Sequence, residues 1–189
     1  MSNEDPNKER LKNARIAISG KSGCGNTTVS RLVADMLGLR LINFTFRSLA
    51  EEKGLTLKDV LALAAEDDWW DREVDDRQVR LARENGGCVL GSRLAIWMLP
   101  EADLKVVLSA CPDIRARRIQ HREGDDLAAI AEFTKARDDQ DKDRYMKIYQ
   151  IDNDDYSFAD LIIDTDRVGA QEIAEEIVAA VKKKVLAAD

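Results

Sequence analysis

One stretch constrains the fold of this chain more than any other: Ile16-Ala17-Ile18-Ser19-Gly20-Lys21-Ser22-Gly23-Cys24-Gly25-Asn26-Thr27-Thr28. An apolar run enters a glycine loop and a helical pattern leaves it, which predicts a buried strand turning sharply into a helix. The loop nearly matches the phosphate-cradling template G-x-x-x-x-G-K-[ST], with Gly20, Gly25 and Thr27 in register. Glycines let a backbone turn tightly and approach phosphate oxygens. The free N–H groups and dipole at the following helix start then hold the anion. Thr27 offers a hydroxyl suited to Mg2+. Asn26 stands where the template has lysine, and an amide donates hydrogen bonds without bringing charge. A glycine turn that binds nothing is the plainer alternative; the strand before and helix after favour phosphate.

The pattern continues along the chain. Apolar strand-like runs occur at 39–44, 88–90, 104–108 and 159–164, separated by helical periodicity. Five apolar strands alternating with helices predict an α/β fold: a five-stranded parallel sheet with helices on both faces, three layers in all. Such short continuous apolar strands suit burial on both sides. The 189 residues suit one domain, read here as 14–189 behind a flexible polar tail, 1–13.

The net charge of −7 argues against a nucleic-acid or membrane-surface binder. A small anionic substrate then needs a local basic cluster, and the chain has several. Arg47 and Arg93 directly follow strand runs, at the strand ends where open α/β sheets bind ligands. After Pro112, which suits a first helical turn, Arg115, Arg118 and Arg122 share one helix face. Guanidinium is a preferred fork for phosphate oxygens. On the next helix, from about Asp126 to Gln150, Arg137, Asp141 and Arg144 repeat the arrangement, so the two helices read as a hairpin able to fold over a ligand.

Other features take structural readings. Asp71, Asp75 and Gln78 fall on one helical face, which by default is solvated. The pair Trp69-Trp70 reads as packing surface rather than a base-stacking platform. His121, the only histidine, has no partner for base catalysis and reads as an exposed bystander. Three cysteines, Cys24, Cys88 and Cys111, lack metal-ligand spacing and suit a reducing cytoplasm. No leader or membrane span is expected, so the chain is read as cytoplasmic, and no exposed apolar stripe speaks against a monomer.

Three blocks together resemble the cytidylate kinases, in particular the short, type 2 variety of the P-loop nucleoside monophosphate kinases. They are Ile18-Ser19-Gly20 through Thr28; Val89-Leu90-Gly91-Ser92-Arg93-Leu94-Ala95-Ile96-Trp97-Met98; and Arg137-Asp138-Asp139-Gln140-Asp141-Lys142-Asp143-Arg144 with Tyr149-Gln150-Ile151-Asp152 and Ala159-Asp160-Leu161. The first block is shared by many phosphate-binding folds; the other two are more specific. The resemblance implies transfer of the γ-phosphoryl of ATP to CMP or dCMP, with Mg2+. It implies a monophosphate-binding segment at about 43–85 and a helical lid at about 112–144. It assigns the ATP phosphates to Gly20, Lys21, Ser22, Gly23, Cys24, Gly25, Asn26, Thr27 and Thr28, with Thr27 at the metal. CMP falls to Arg47, Arg93, Arg137, Asp141 and Arg144, and the transferring phosphoryl group to Arg115, Arg118 and Arg144. Lys21 is expected to make up part of the charge that Asn26 lacks, and the lid arginines most of it. No carboxylate follows the third strand, where Gly91-Ser92 stand. The alternatives are a kinase for another monophosphate, such as UMP or AMP, and an ATP-binding sensor that has lost catalysis.

Overall fold

The computed structural model describes residues 6–84 and 86–187. Its strands are β1 (Arg15–Gly20), β2 (Arg40–Ile42), β3 (Cys88–Ser92), β4 (Leu104–Ser109) and β5 (Leu161–Asp164). All pair in parallel, in the order β2-β3-β1-β4-β5. β1 is central because its apolar residues face helices on both sides: Ile16, Ala17 and Ile18 are fully buried. Truncating Ile18 to Ala would cost about 2–5 kcal/mol through the void left behind.

The helices are α1 (Pro6–Asn13), α2 (Asn26–Leu37), α3 (Phe46–Lys53), α4 (Leu57–Glu66), α5 (Trp69–Arg83), α6 (Ala95–Met98), α7 (Pro112–Glu123), α8 (Leu127–Tyr149) and α9 (Ala170–Leu186). On one face of the sheet, Val29 and Val33 of α2 and Ile173, Ile177 and Val181 of α9 pack on Ile16, Ile18, Val106 and Leu108. On the other, Ala82 of α5 and Ala95, Ile96 and Leu99 around α6 cover Ala17, Leu90 and Val107. The α7–α8 hairpin has its own small core of Ala116, Ile119 and Ile130.

Local signals set the helix ends. Thr56 and Asp59 form a reciprocal capping box at the start of α4. Gly38 and Gly124 end α2 and α7 in left-handed conformations. Pro112 opens α7 as expected.

Two expectations need revision. The segment Pro6–Asn13, read as part of a loose tail, is helical, and Leu11 packs against the core; Met1 to Asp5 lie outside the described residues. The second strand spans only Arg40–Ile42 rather than 39–44. Among the described residues no helix is long and apolar enough to cross a membrane.

Candidate active site

At the carboxyl ends of β1 and β3 lies a cavity of about 1000 Å3, the size expected for a small-molecule site. Its floor is the glycine loop, Gly20 to Gly25, leading into the first turn of α2. Thr27 and Thr28, on that turn, are exposed and line the cavity. Gly23 has a positive φ of 85°, and a Cβ there would lie 2.8 Å from the backbone of Arg115. Only glycine lets α7 rest directly on the loop.

Three arginines converge on this floor. Arg93, at the end of β3, donates from Nη2 to Ser22 Oγ at 2.5 Å. Arg115 Nε donates to the Ser22 carbonyl at 2.6 Å, while its two Nη groups take Asp138 of α8 as a bidentate pair at 2.7 and 3.0 Å. Arg118 Nη1 donates to the Gly23 carbonyl at 3.3 Å and to Thr165 Oγ1 at 2.9 Å, and Nη2 to the Thr165 carbonyl at 2.5 Å. Thr165 Oγ1 in turn donates to the Cys24 carbonyl at 3.2 Å. The third member of the expected stripe, Arg122, splays outward to Glu123 at 2.7 Å, although it still lines the cavity.

Further in, Asp141 of α8 is only 1% exposed and gathers three guanidinium groups. Arg93 Nη1 donates to its Oδ2, Arg144 Nη2 lies 2.6 Å from its Oδ1, and Arg137 Nε is 3.9 Å from Oδ2. Arg144 also donates from Nε to Asp71 at 3.1 Å. Arg137 Nε is buried and makes no hydrogen bond. Burial, and then the charge of Arg93, pull the Arg137 guanidinium down to about 10, still fully charged near neutrality. An unpaired buried donor is costly, and here it borders a cavity. An anion supplied from outside would satisfy it.

The remaining residues with assigned roles lie apart from this cluster. Arg47, at the mouth, is 56% exposed at its side chain and pairs with Glu123 at 3.2 Å, joining α3 to the end of α7. Lys21 belongs to the loop, yet its ammonium sits 2.7 Å from Asp154 Oδ1, which Lys142 shares through Oδ2 at 2.9 Å. These hydrogen bonds, Lys21 first, hold the Asp154 carboxyl down at about 2. The Asn26 amide is turned into the sheet: Nδ2 donates to the carbonyls of Ile18 (2.9 Å) and Ser92 (3.1 Å), and Oδ1 accepts from Ser30 Oγ (3.0 Å).

The polar face of α5 was misjudged as solvated. Asp71, Asp75 and Gln78 are buried and line the cavity. Gln78 Nε2 donates to the Phe44 carbonyl, and Tyr149 donates to Asp75 at 2.9 Å. Burial pushes the Asp75 carboxyl up to about 7, and the charges of Asp71, Asp76 and Asp141 add to the shift, while the Tyr149 hydrogen bond opposes it. One sequence signal existed: Asp71 and Asp75 are like charges four apart, an unfavourable pair on a free helix. Trp69 and Trp70 meet edge to face at 5.0 Å and neither lines the cavity; Trp69 is exposed rather than packed into the core, with Lys53 over its ring. His121 is exposed. Cys24 and Cys88 are buried, whereas Cys111, the residue before α7, is exposed. Burial also raises the Cys24 thiol, so it stays protonated and inert despite its place in the loop.

Among the described residues no cluster of three or more His, Cys, Asp or Glu side chains could hold a metal. One hydroxyl, Thr27, is what the chain offers beside a bound phosphate. That donor set fits Mg2+, which keeps several waters and takes few protein ligands beside nucleotide phosphates.

Residues 15–167 match the model of the cytidylate kinase-like family. A protein named cytidylate kinase 2 from Borreliella afzelii is 43% identical over 91% of this chain and 98% of its own length. One named cytidylate kinase from Archaeoglobus fulgidus is 40% identical over 93% and 98% respectively. Among solved structures, the shikimate kinase of Acinetobacter baumannii in complex with shikimate superposes with a TM-score of 0.61 at 17% identity, covering 93% of this chain and 97% of its own. At that identity the likeness speaks for the fold alone.

Proposed function

The chain belongs to the cytidylate kinase-like family, and from that premise we propose that it transfers the γ-phosphoryl group of ATP to CMP or dCMP, giving CDP or dCDP. The observation that carries this reading is one cavity with arginines in both halves. Arg118 lines it over the glycine loop with Arg115 buried behind, and Arg93 and Arg137 line it beside Asp141 with Arg144 buried behind. An ATP-binding sensor has no need of the second half.

Phosphoryl transfer asks a protein mainly for positioning and charge stabilisation. In this reading the backbone N–H groups from Gly20 to Thr28 hold the β- and γ-phosphates, aided by the dipole of α2. Arg115 and Arg118 stabilise charge on the transferring group, Arg115 oriented by its Asp138 fork. Arg144 and Arg137 hold the CMP phosphate and Asp141 its sugar. Arg93 spans both halves, and Arg47 closes the mouth with Glu123. A magnesium ion, bound with ATP near Thr27, supplies neutralisation of the phosphate charge. The segments 43–85 and 112–144 act as the monophosphate-binding part and the lid. Excluding water between them protects ATP from hydrolysis. With Asp71, Asp138 and Asp141 already on the arginines, an incoming phosphate exchanges places with carboxylates rather than meeting naked charge. The pyrimidine falls against the buried α5 face, at Asp75 and Gln78. We read the protein as a cytoplasmic monomer working on small-molecule nucleotides, not on nucleic acid or membranes.

A coupled assay with ATP and each of CMP, UMP, AMP and GMP tests the reading. CDP formation fastest among the four is expected. ATP binding with no diphosphate formed from any of them would overturn it.

A further inference from the structure

Two features of the phosphate site look like separate losses: the amide of Asn26 in place of a lysine, and Gly91 near the end of β3, where the chain offers no carboxylate. We propose that they are one device. Asn26 is a positioning residue whose side chain straps the start of α2 to the ends of β1 and β3, and Gly91 is the position that makes room for the strap. The proposal rests on reading the loop as the ATP phosphate site.

All the polar capacity of Asn26 is turned inward. Its two N–H donors go to the carbonyls of Ile18 and Ser92, residues on adjacent strands, and its oxygen accepts from Ser30 one turn further along α2. The glycine loop is the segment that connects Ile18 to Asn26. The strap therefore pins both ends of the loop to the carboxyl end of the same two central strands and fixes the helical turn whose N–H groups face the phosphates. A β-carbon on residue 91 would lie 2.5 Å from Ser30 Oγ and 2.9 Å from Asn26 Oδ1. Contacts that short are repulsive, so any side chain at 91, a carboxylate included, pushes Ser30 aside and with it the Asn26 oxygen that Ser30 bonds. Conversely, a lysine at 26 accepts nothing from Ser30 and cannot donate to two carbonyls in this planar arrangement. An inward amide with a bare strand is one self-consistent solution, and mixing it with lysine or carboxylate is not.

The functional consequence is a division of labour. The loop is shaped by neutral hydrogen bonds. Its positive charge arrives from Arg115 and Arg118, which rest on the Ser22 and Gly23 carbonyls. Lys21 is held by Asp154. A charged side chain at 26 is not missing; the position serves geometry.

The test is a cycle of variants assayed for kcat and for KM of each substrate, with melting midpoints. Asn26→Ala should raise KM for ATP and lower kcat, together by about tenfold or more in kcat/KM, while KM for CMP stays within about twofold. Gly91→Ala should do the same, and the double variant should be no worse than Gly91→Ala alone, because the strap is already cut. Asn26→Lys, which restores the template, should lower kcat/KM for ATP. An increase with Asn26→Lys overturns the proposal, as does additivity of Asn26→Ala and Gly91→Ala. Equal changes in both KM values, tracking lost stability, overturn it in favour of a merely structural role. The kinase reading fails differently, through absence of CDP from the unaltered protein; coupling between the two positions is then still read from the melting midpoints.

Discussion

Replacing Asp75 by asparagine should make the protein more stable at alkaline pH and flatten its stability profile. Asp75 is buried on α5, where desolvation lifts its carboxyl from an ordinary value of 3.8 to about 7. Between those two values the folded chain holds a proton that the unfolded chain has released. Stability therefore falls as pH rises through that window, and the whole penalty is present above pH 7. At 1.36 kcal/mol per unit, about three units correspond to roughly 4 kcal/mol, of which about 2–3 kcal/mol develops between pH 5 and pH 8. Asparagine carries no charge to bury and still offers an oxygen to the Tyr149 hydroxyl, which now donates to Asp75 at 2.9 Å. Asp71, Asp76 and Asp141, whose charges also act on Asp75, are common to both proteins and largely cancel in the comparison. For a chain this size each kcal/mol moves the melting midpoint by about 2–4 °C. Between pH 5 and pH 8 the unaltered protein should thus lose about 5–10 °C more than Asp75→Asn. Urea or thermal unfolding of both proteins at matched ionic strength measures this. If the two curves fall in parallel, Asp75 is ionised at no cost and the reasoning from burial is refuted.

Other outcomes follow from the same geometry. Arg118→Ala should lower kcat by about 100- to 1000-fold, the usual loss for a transition-state donor; Lys21→Ala, already committed to Asp154, should cost less than about tenfold, and steady-state assays that rank them the other way reverse the assignment. Asp141→Asn leaves Arg93, Arg137 and Arg144 without their shared carboxylate and should destabilise by about 3–5 kcal/mol. Saturating CMP should narrow that gap in denaturant titrations, since its phosphate offers substitute oxygens; an unchanged gap places the phosphate elsewhere. Chelation with EDTA should abolish CDP formation, and added Mg2+ should restore it; turnover that persists in EDTA removes the metal from the reaction.

The sheet and loop were readable from sequence because their physics is local. A strand buried on both faces must be continuously apolar, and a loop that approaches phosphate must be glycine-rich, so Ile16 to Thr28 announces itself. The α5 face was not readable in the same way. A polar row at i, i+4 and i+7 looks the same whether water or a cavity lies beyond it, and what lies beyond Asp71 and Asp75 is Arg144 and Tyr149, more than 70 positions along the chain. The partner of Lys21 is likewise 133 positions away. Gly91 did carry a usable signal, since glycine inside a strand often marks a close approach of another element. It was read only as a missing acid. Asp141 was within reach of a spacing rule, since it lies three and four positions from Arg144 and Arg137 on the same helix, whereas Asp138 meets Arg115 and Asp71 meets Arg144 only across facing helices.

The thiols offer a practical opening. Two of the three are sealed inside the fold, and the third, Cys111, stands in solvent at the root of α7. A maleimide dye added to the native protein should therefore attach at a single point, beside the hinge on which the arginine-bearing hairpin would swing. Evolution has in effect left an optical probe socket there, and nucleotide-driven motion could be followed by fluorescence without altering a residue.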